Sequence, residues 1–263
     1  MAAVLPGSSI TPSIPGGSVA PSPVVREYPA RSIEASSEMP PVYRKTLLKL
    51  LADQARAELL ASNTYSSWVR RAPGPTERMY LAELAKEETE HWYKAVMLLQ
   101  QLGVSPNRVR EYESNHWFYS VSFLLILRKK WIDILMMSFL IDHGAYFLVE
   151  DFAQSSYAPW ARMAEEILKD EEDHPDLGAN CTLAIIQKEG SARVQRALHK
   201  WWRVALNMFG PPTTCNSNTY IRLGLKIRTN EDRRQAFRRS CEPRIQKLGL
   251  QVPVLRRERY PFF

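Results

Sequence analysis

The sequence predicts an all-α protein: four long helices in two antiparallel hairpins, with additional C-terminal helices packed around them. Apolar residues recur at helical spacing along most of the chain, and Pro/Gly/Ser-rich breaks at 72–75 and 155–159 separate long periodic segments. Nothing reads as a series of short alternating strands.

Residues 1–38 carry six prolines (Pro6, Pro12, Pro15, Pro21, Pro23, Pro29) and no apolar periodicity, and read as a disordered or draped tail. From Pro40-Pro41, the apolar positions Leu47, Leu48, Leu51, Ala55 and Leu59 predict a helix to about Arg71. Ala72-Pro73-Gly74-Pro75 ends it, and Thr76 is a candidate cap for a second helix ending at Gly103. Residues 104–127 read as a loop and a short helix. A third long helix, Trp131 to about Gln154, is apolar on most faces and should be buried. A fourth runs from Pro159 to about Gln187, another spans Ser191–Phe209, and a last one follows the Thr229-Asn230-Glu231-Asp232 cap. The expected organisation is tail 1–38, helical bundle 39–210 and basic helical extension 211–263.

At 263 residues, 45% hydrophobic and 24% charged, the chain is a globular one able to bury a core. Uninterrupted apolar stretches such as Val121–Leu127 fall short of the about 20 residues a bilayer span needs, so no membrane crossing is expected. The N-terminus resembles neither a secretory signal nor a transit peptide, which points to the cytoplasm. Cys181, Cys215 and Cys241 fit no metal or redox spacing and read as reduced thiols. Residues 191–263 hold 16 Lys+Arg against 4 Asp+Glu. No nucleic-acid motif accompanies this charge, so nucleic acid is not expected as a partner; coenzyme A phosphates, an acidic partner or a solvated surface explain it equally well.

Five histidines and 20 glutamates scattered at random would give fewer than one Glu-x-x-His match, yet three occur: Glu88/His91, Glu113/His116 and Glu171/His174. On a helix, i and i+3 share a face and can offer one metal a carboxylate and an imidazole. Di-iron carboxylate bundles need one further carboxylate from a neighbouring helix for each such pair, and an antiparallel hairpin sets facing residues symmetrically about its turn. Glu58 and Glu88 are centred on Pro73, and Asp142 and Glu171 on the Ser155–Pro159 break. Each lies about 14 residues, roughly 21 Å of helix, from its own turn, so the two halves match in height.

Glu113/His116 fails this test and reads as a surface pair. Glu150 and Asp151 fail it with Glu171, which leaves Asp142 preferred. Glu87, Glu90, Glu172 and Asp173 lie off the inward face. A buried salt-bridge network is the competing account, but four carboxylates and two imidazoles with no compensating Lys or Arg nearby need a cation between them. The candidate ligands are therefore Glu58, Glu88, His91, Asp142, Glu171 and His174, and mixed oxygen and nitrogen donors favour iron.

The runs Met39-Pro-Pro-Val-Tyr-Arg-Lys-Thr-Leu47, Asp133-Ile-Leu, Ser156-Tyr-Ala-Pro-Trp-Ala-Arg162, Trp201-Trp, Ala205-Leu-Asn-Met-Phe-Gly-Pro211, Lys226-Ile-Arg and Leu248-Gly-Leu-Gln-Val-Pro253 resemble the catalytic subunit of the multicomponent phenylacetyl-coenzyme A epoxidase family. The likeness covers about residues 39–253. It implies a ferritin-like fold, a di-iron centre on the same six residues, and ring epoxidation of an aromatic acyl-coenzyme A with O2 as co-substrate. It also implies a related ferritin-like non-catalytic subunit and a separate NAD(P)H-dependent reductase. The last agrees with the absence of a dinucleotide fingerprint or cysteine cluster here.

Glu88 and Glu171 would bridge two irons, with Glu58/His91 on one and Asp142/His174 on the other. Tyr65 and Tyr146 lie within a turn or two of the ligand face, where packing is the commoner role. This chain differs from the family in the bulk of Glu90 and His143 and in Pro175, which should kink the fourth helix at His174. The alternatives are a non-catalytic scaffold subunit, against which retention of all six ligands argues, a diverged biosynthetic di-iron oxidase acting on another substrate, and an iron-storage protein.

Overall fold

A computed structural model describes residues 25–114, 130–171, 174–212 and 214–254, with side chains for all of these except 112–114, 170, 171 and 174–177. The first hairpin is α1 (Pro41–Trp68), a short 3-10 turn (Val69–Arg71) and α2 (Pro75–Gln101). Pro41 starts α1 where its fixed φ fits and its missing N–H costs nothing. Pro75 does the same for α2, whose cap is Gly74 and not the expected Thr76. The two helices pack along their length, and Ser62 Oγ fixes their register by donating to the Ala85 carbonyl at 3.1 Å while meeting Thr89 Oγ1 at 2.7 Å. α3 (Pro106–Ser114) begins directly after its capping Ser105, and the rest of the segment expected to hold a loop and a short helix, 115–127, lies outside the described residues. His116 lies outside the described residues, as does the side chain of Glu113.

α4 (Trp131–Phe152) is long and apolar enough to span a bilayer, with a mean hydropathy of 1.5, but its apolar window is 83% buried within the fold. Its apolarity serves the core. Its middle, Met137–Asp142, is a π-helical segment, and nothing in the residue spacing announced it. α4 turns into α5 (Ala158–Glu171), closing the second hairpin. The expected fourth helix is described on either side of residues 172–173, which lie outside the described residues, as α5 and as α6 (His174–Glu189), and Pro175 is the second residue of α6 as described. α7 (Ser191–Asn207) packs on α4 and α6. α8 (Cys215–Arg222) and α9 (Asn230–Lys247) are the last helices among the described residues, α9 opening with a Thr229/Asp232 capping box. Among the described residues the only strand-like feature is one bridge, Ile33 to Tyr157.

That bridge belongs to the described part of the Pro-rich N-terminal segment, where, of the two readings, the draped one applies. Residues 25–38 are draped over the second hairpin turn and α8: Ile33 N–H donates to the Ser156 carbonyl at 2.9 Å and Glu27 N–H to the Arg222 carbonyl at 2.7 Å, while Arg162 grips Glu34. Gly224 makes room for this segment. Its φ is +69°, and a Cβ there would stand 2.3 Å from the Tyr28 carbonyl oxygen.

The core divides into two apolar clusters. One holds Tyr65, Leu81, Leu84 and Ile132–Ile141 with α7 and α9, at the end of the first turn; the other holds Tyr43, Leu47, Leu51, Ala95, Leu99, Trp160 and Ile167, at the end of the second. α1 passes between them from Ala55 to Tyr65 and α2 from Ala85 to Ala95. Two hairpins arranged this way form a ferritin-like bundle whose seam lies at mid-height.

Candidate metal centre

The seam is where the polar side chains converge. Glu58 on α1 and Glu88 and His91 on α2 bring one ligand atom each to within 4.8 Å of one another. Glu88 is 3% and His91 0% exposed, and Glu58 is half-buried. His91 Nδ1 stands 3.9 Å from Glu88 Oε2, one turn away on the same face.

Asp142 ends the π-helical segment of α4, 4% exposed, and accepts a hydrogen bond from the Tyr65 hydroxyl. Burial pushes the Tyr65 phenol well above its ordinary range, and the charges of Asp142, Tyr80 and Glu88 add to the effect. The phenol thus stays protonated, within reach of carboxylates from both hairpins. Tyr80 on α2 pairs its hydroxyl with Ser138 Oγ at 2.7 Å, so two tyrosines of the first hairpin hold the π-helical segment. From the other side α6 presses Gly178 so close that a Cβ would sit 2.8 Å from Phe139 N. A π-turn inserts an extra residue into a helix and re-aims the side chains after it, a device common at functional sites.

Glu171 and His174 stand at the end of α5 and the start of α6; their side chains lie outside the described residues. Tyr146 packs edge-on against Phe147 at 5.5 Å. His143 is buried, with Nε2 2.9 Å from Ser240 Oγ and its ring against Phe147 and Phe237, a setting that ties α4 to α9.

Sequence reasoning missed a polar relay. The Trp160 indole donates to Gln54 Oε1 at 2.6 Å, and Gln54 Nε2 donates to Glu58 Oε1 at 3.2 Å. Gln54 lies one helical turn before Glu58, so the i, i+4 spacing was a usable signal.

Several residues of the basic C-terminal cluster have partners within the fold, some buried and some at the surface. Arg228 and Arg233 bind Asp151, Arg222 binds Glu27, and Arg238 binds Glu242. Arg234, 2% exposed, binds Glu231 and the carbonyls of Leu206 and Gly210. Lys226, also 2% exposed, donates to Ser217 and Asn230. Arg244 lies over Phe139, and Arg239 is exposed.

A family model described as "Phenylacetic acid catabolic protein" matches residues 15–260. The chain is 27% identical over 226 residues, 84% of its length and 73% of the relative's, to the A subunit of 1,2-phenylacetyl-CoA epoxidase from Escherichia coli (strain K12). It is 22% identical over 228 residues to "Benzoyl-CoA oxygenase component B" of Aromatoleum evansii, spanning 74% of this chain but 47% of that longer protein. With most of its length matched and its helices folded around a carboxylate–imidazole seam, the chain belongs to the phenylacetic acid catabolic protein family.

Proposed function

We propose that this protein is the catalytic subunit of a multicomponent oxygenase that uses O2 to epoxidise or hydroxylate the ring of an aromatic acyl-coenzyme A, such as phenylacetyl-coenzyme A. The observation that carries the reading is the convergence of Glu58, Glu88 and His91 in the buried seam. A scaffold subunit has no need of it. Two carboxylates and an imidazole so close would be costly without a cation, and their oxygen and nitrogen donors suit iron better than a thiolate-preferring site would.

Six residues would hold two irons: Glu88 and Glu171 as bridges, Glu58 and His91 on one side, Asp142 and His174 on the other. When bound, the metal pair supplies the electrons that activate O2. The protein supplies the rest. The apolar clusters on either side of the seam keep water from the reacting centre. Tyr65 holds its proton on the oxygen facing Asp142. Replacement electrons come from an external NAD(P)H-dependent reductase, and a related helical subunit completes the complex. One relative is named as a subunit of an epoxidase and the other as a component of an oxygenase, which supports a multicomponent assembly. The proposed compartment is the cytoplasm.

The test is a single turnover. Iron-loaded protein, chemically reduced, is mixed with labelled 18O2 and phenylacetyl- or benzoyl-coenzyme A, and mass spectrometry should find one labelled oxygen in the acyl product. Iron-loaded protein that labels neither thioester would contradict the substrate class.

A further inference from the structure

The outer carboxylates of the seam are each met by a donor from α1. Gln54, Glu58 and Tyr65 fall at i, i+4 and i+11, which is one helix face. Gln54 Nε2 donates to Glu58 Oε1 at 3.2 Å, and the Tyr65 hydroxyl donates to Asp142 Oδ2. Both links depend on the opposite hairpin. Tyr65 reaches across to α4 directly, whereas Gln54 is held from α5 by the Trp160 indole at 2.6 Å. An indole N–H can only donate, so the Gln54 carbonyl must face Trp160 and its amide N–H must face Glu58. Gln54 and Tyr65 are 7% and 0% exposed, so neither link competes with bulk water.

We propose that Gln54 and Tyr65 are positioning residues for metal, each pinning one oxygen of an outer carboxylate, Glu58 or Asp142, so that the other oxygen is presented to an ion. The inference rests on the ligand assignment above. A buried donor on one oxygen restrains rotation of the carboxylate and favours ligation through the other oxygen, so the fold biases its coordination mode before metal arrives. Because the Tyr65–Asp142 bond crosses between the hairpins and the Gln54–Glu58 bond is oriented by Trp160 from the opposite one, docking of one hairpin on the other is also what aims the ligands.

The experiment is Co2+ titration of the metal-free protein, read by visible absorption and chelator competition. The variants are Gln54→Met and Tyr65→Phe, which keep side-chain bulk, and Trp160→Phe, which cuts the relay while sparing Gln54. Glu58→Gln and Asp142→Asn serve as ligand controls. The positioning variants should still take two Co2+ per chain, one of them about tenfold to a hundredfold more weakly, with shifted absorption bands. A merely structural role would lower the melting temperature of the metal-free protein and leave the bands unchanged. Wild-type bands and affinities in all three positioning variants, while Glu58→Gln and Asp142→Asn each lose an ion, would overturn this inference alone. Retention of both ions at wild-type affinity in the two controls would overturn the ligand assignment and this inference with it.

Discussion

Asp151, wholly buried near the end of α4, is held by Arg233 of α9: Arg233 Nε donates to Asp151 Oδ2 at 2.8 Å, and Nη2 binds the same oxygen. Arg228 takes the other oxygen, with Nε at 3.1 Å. Two of the arginines of the basic C-terminal segment are thus committed to an acid inside the bundle. Arg233→Ala leaves Asp151 short of a buried partner and should cost about 3–5 kcal/mol, a loss that added salt does not mask. Urea unfolding of wild type and variant at two salt concentrations checks this. A cost under about 1 kcal/mol would mean the pair behaves like a surface contact.

Lys226 makes stability depend on pH. Burial pushes its ammonium down from 10.5 to about 7; Arg233 adds to this, and Asp151 and Asp232 oppose it. Between about pH 7 and 10.5 the unfolded chain holds a proton that the folded chain has released, so the penalty of burying the charge fades and stability rises with pH over that window. Below about 7 both states are protonated and the full penalty applies. Urea midpoints from pH 7 to 9.5 should climb in wild type relative to Lys226→Met. Parallel pH profiles would contradict this.

Gly178 allows α6 to rest on the π-helical segment. In Gly178→Ala the new Cβ would meet backbone at Phe139 N, 2.8 Å away, and Ser138 Oγ at 3.0 Å, so backbone must shift. Overpacking of this kind costs about 1–3 kcal/mol. Because Asp142 ends that segment, metal binding should weaken along with thermal stability. A variant matching wild type in both would show that the contact yields freely.

The long elements were legible because their causes are local. Pro41 and Pro75 open helices, the 72–75 and 155–157 breaks close hairpins, and the Thr229/Asp232 box starts α9. The grouping of Glu58 with Glu88 and His91 was legible too, since hairpin symmetry about a turn follows from helix rise alone. The π-helical segment was not, because its extra residue depends on Tyr65, Tyr80 and Gly178, contributed by three other helices. Nor was the fate of the arginines. Arg233 and Arg234 read as surface charge until the fold brings Asp151 and the carbonyls of Leu206 and Gly210 to them. The N-terminal segment stayed open between disordered and draped because Pro-rich composition excludes helix but not an extended strap, and only the fold brings Ser156 to Ile33.

The central claim, a two-metal site held by the seam, is tested most directly by elemental analysis of iron-loaded wild type beside Glu88→Ala. Wild type should carry close to two irons per chain, and Glu88→Ala, lacking the carboxylate proposed to bridge both, should carry almost none while keeping its helical circular dichroism. Wild type without stoichiometric metal, or Glu88→Ala with its metal undiminished, would contradict the account.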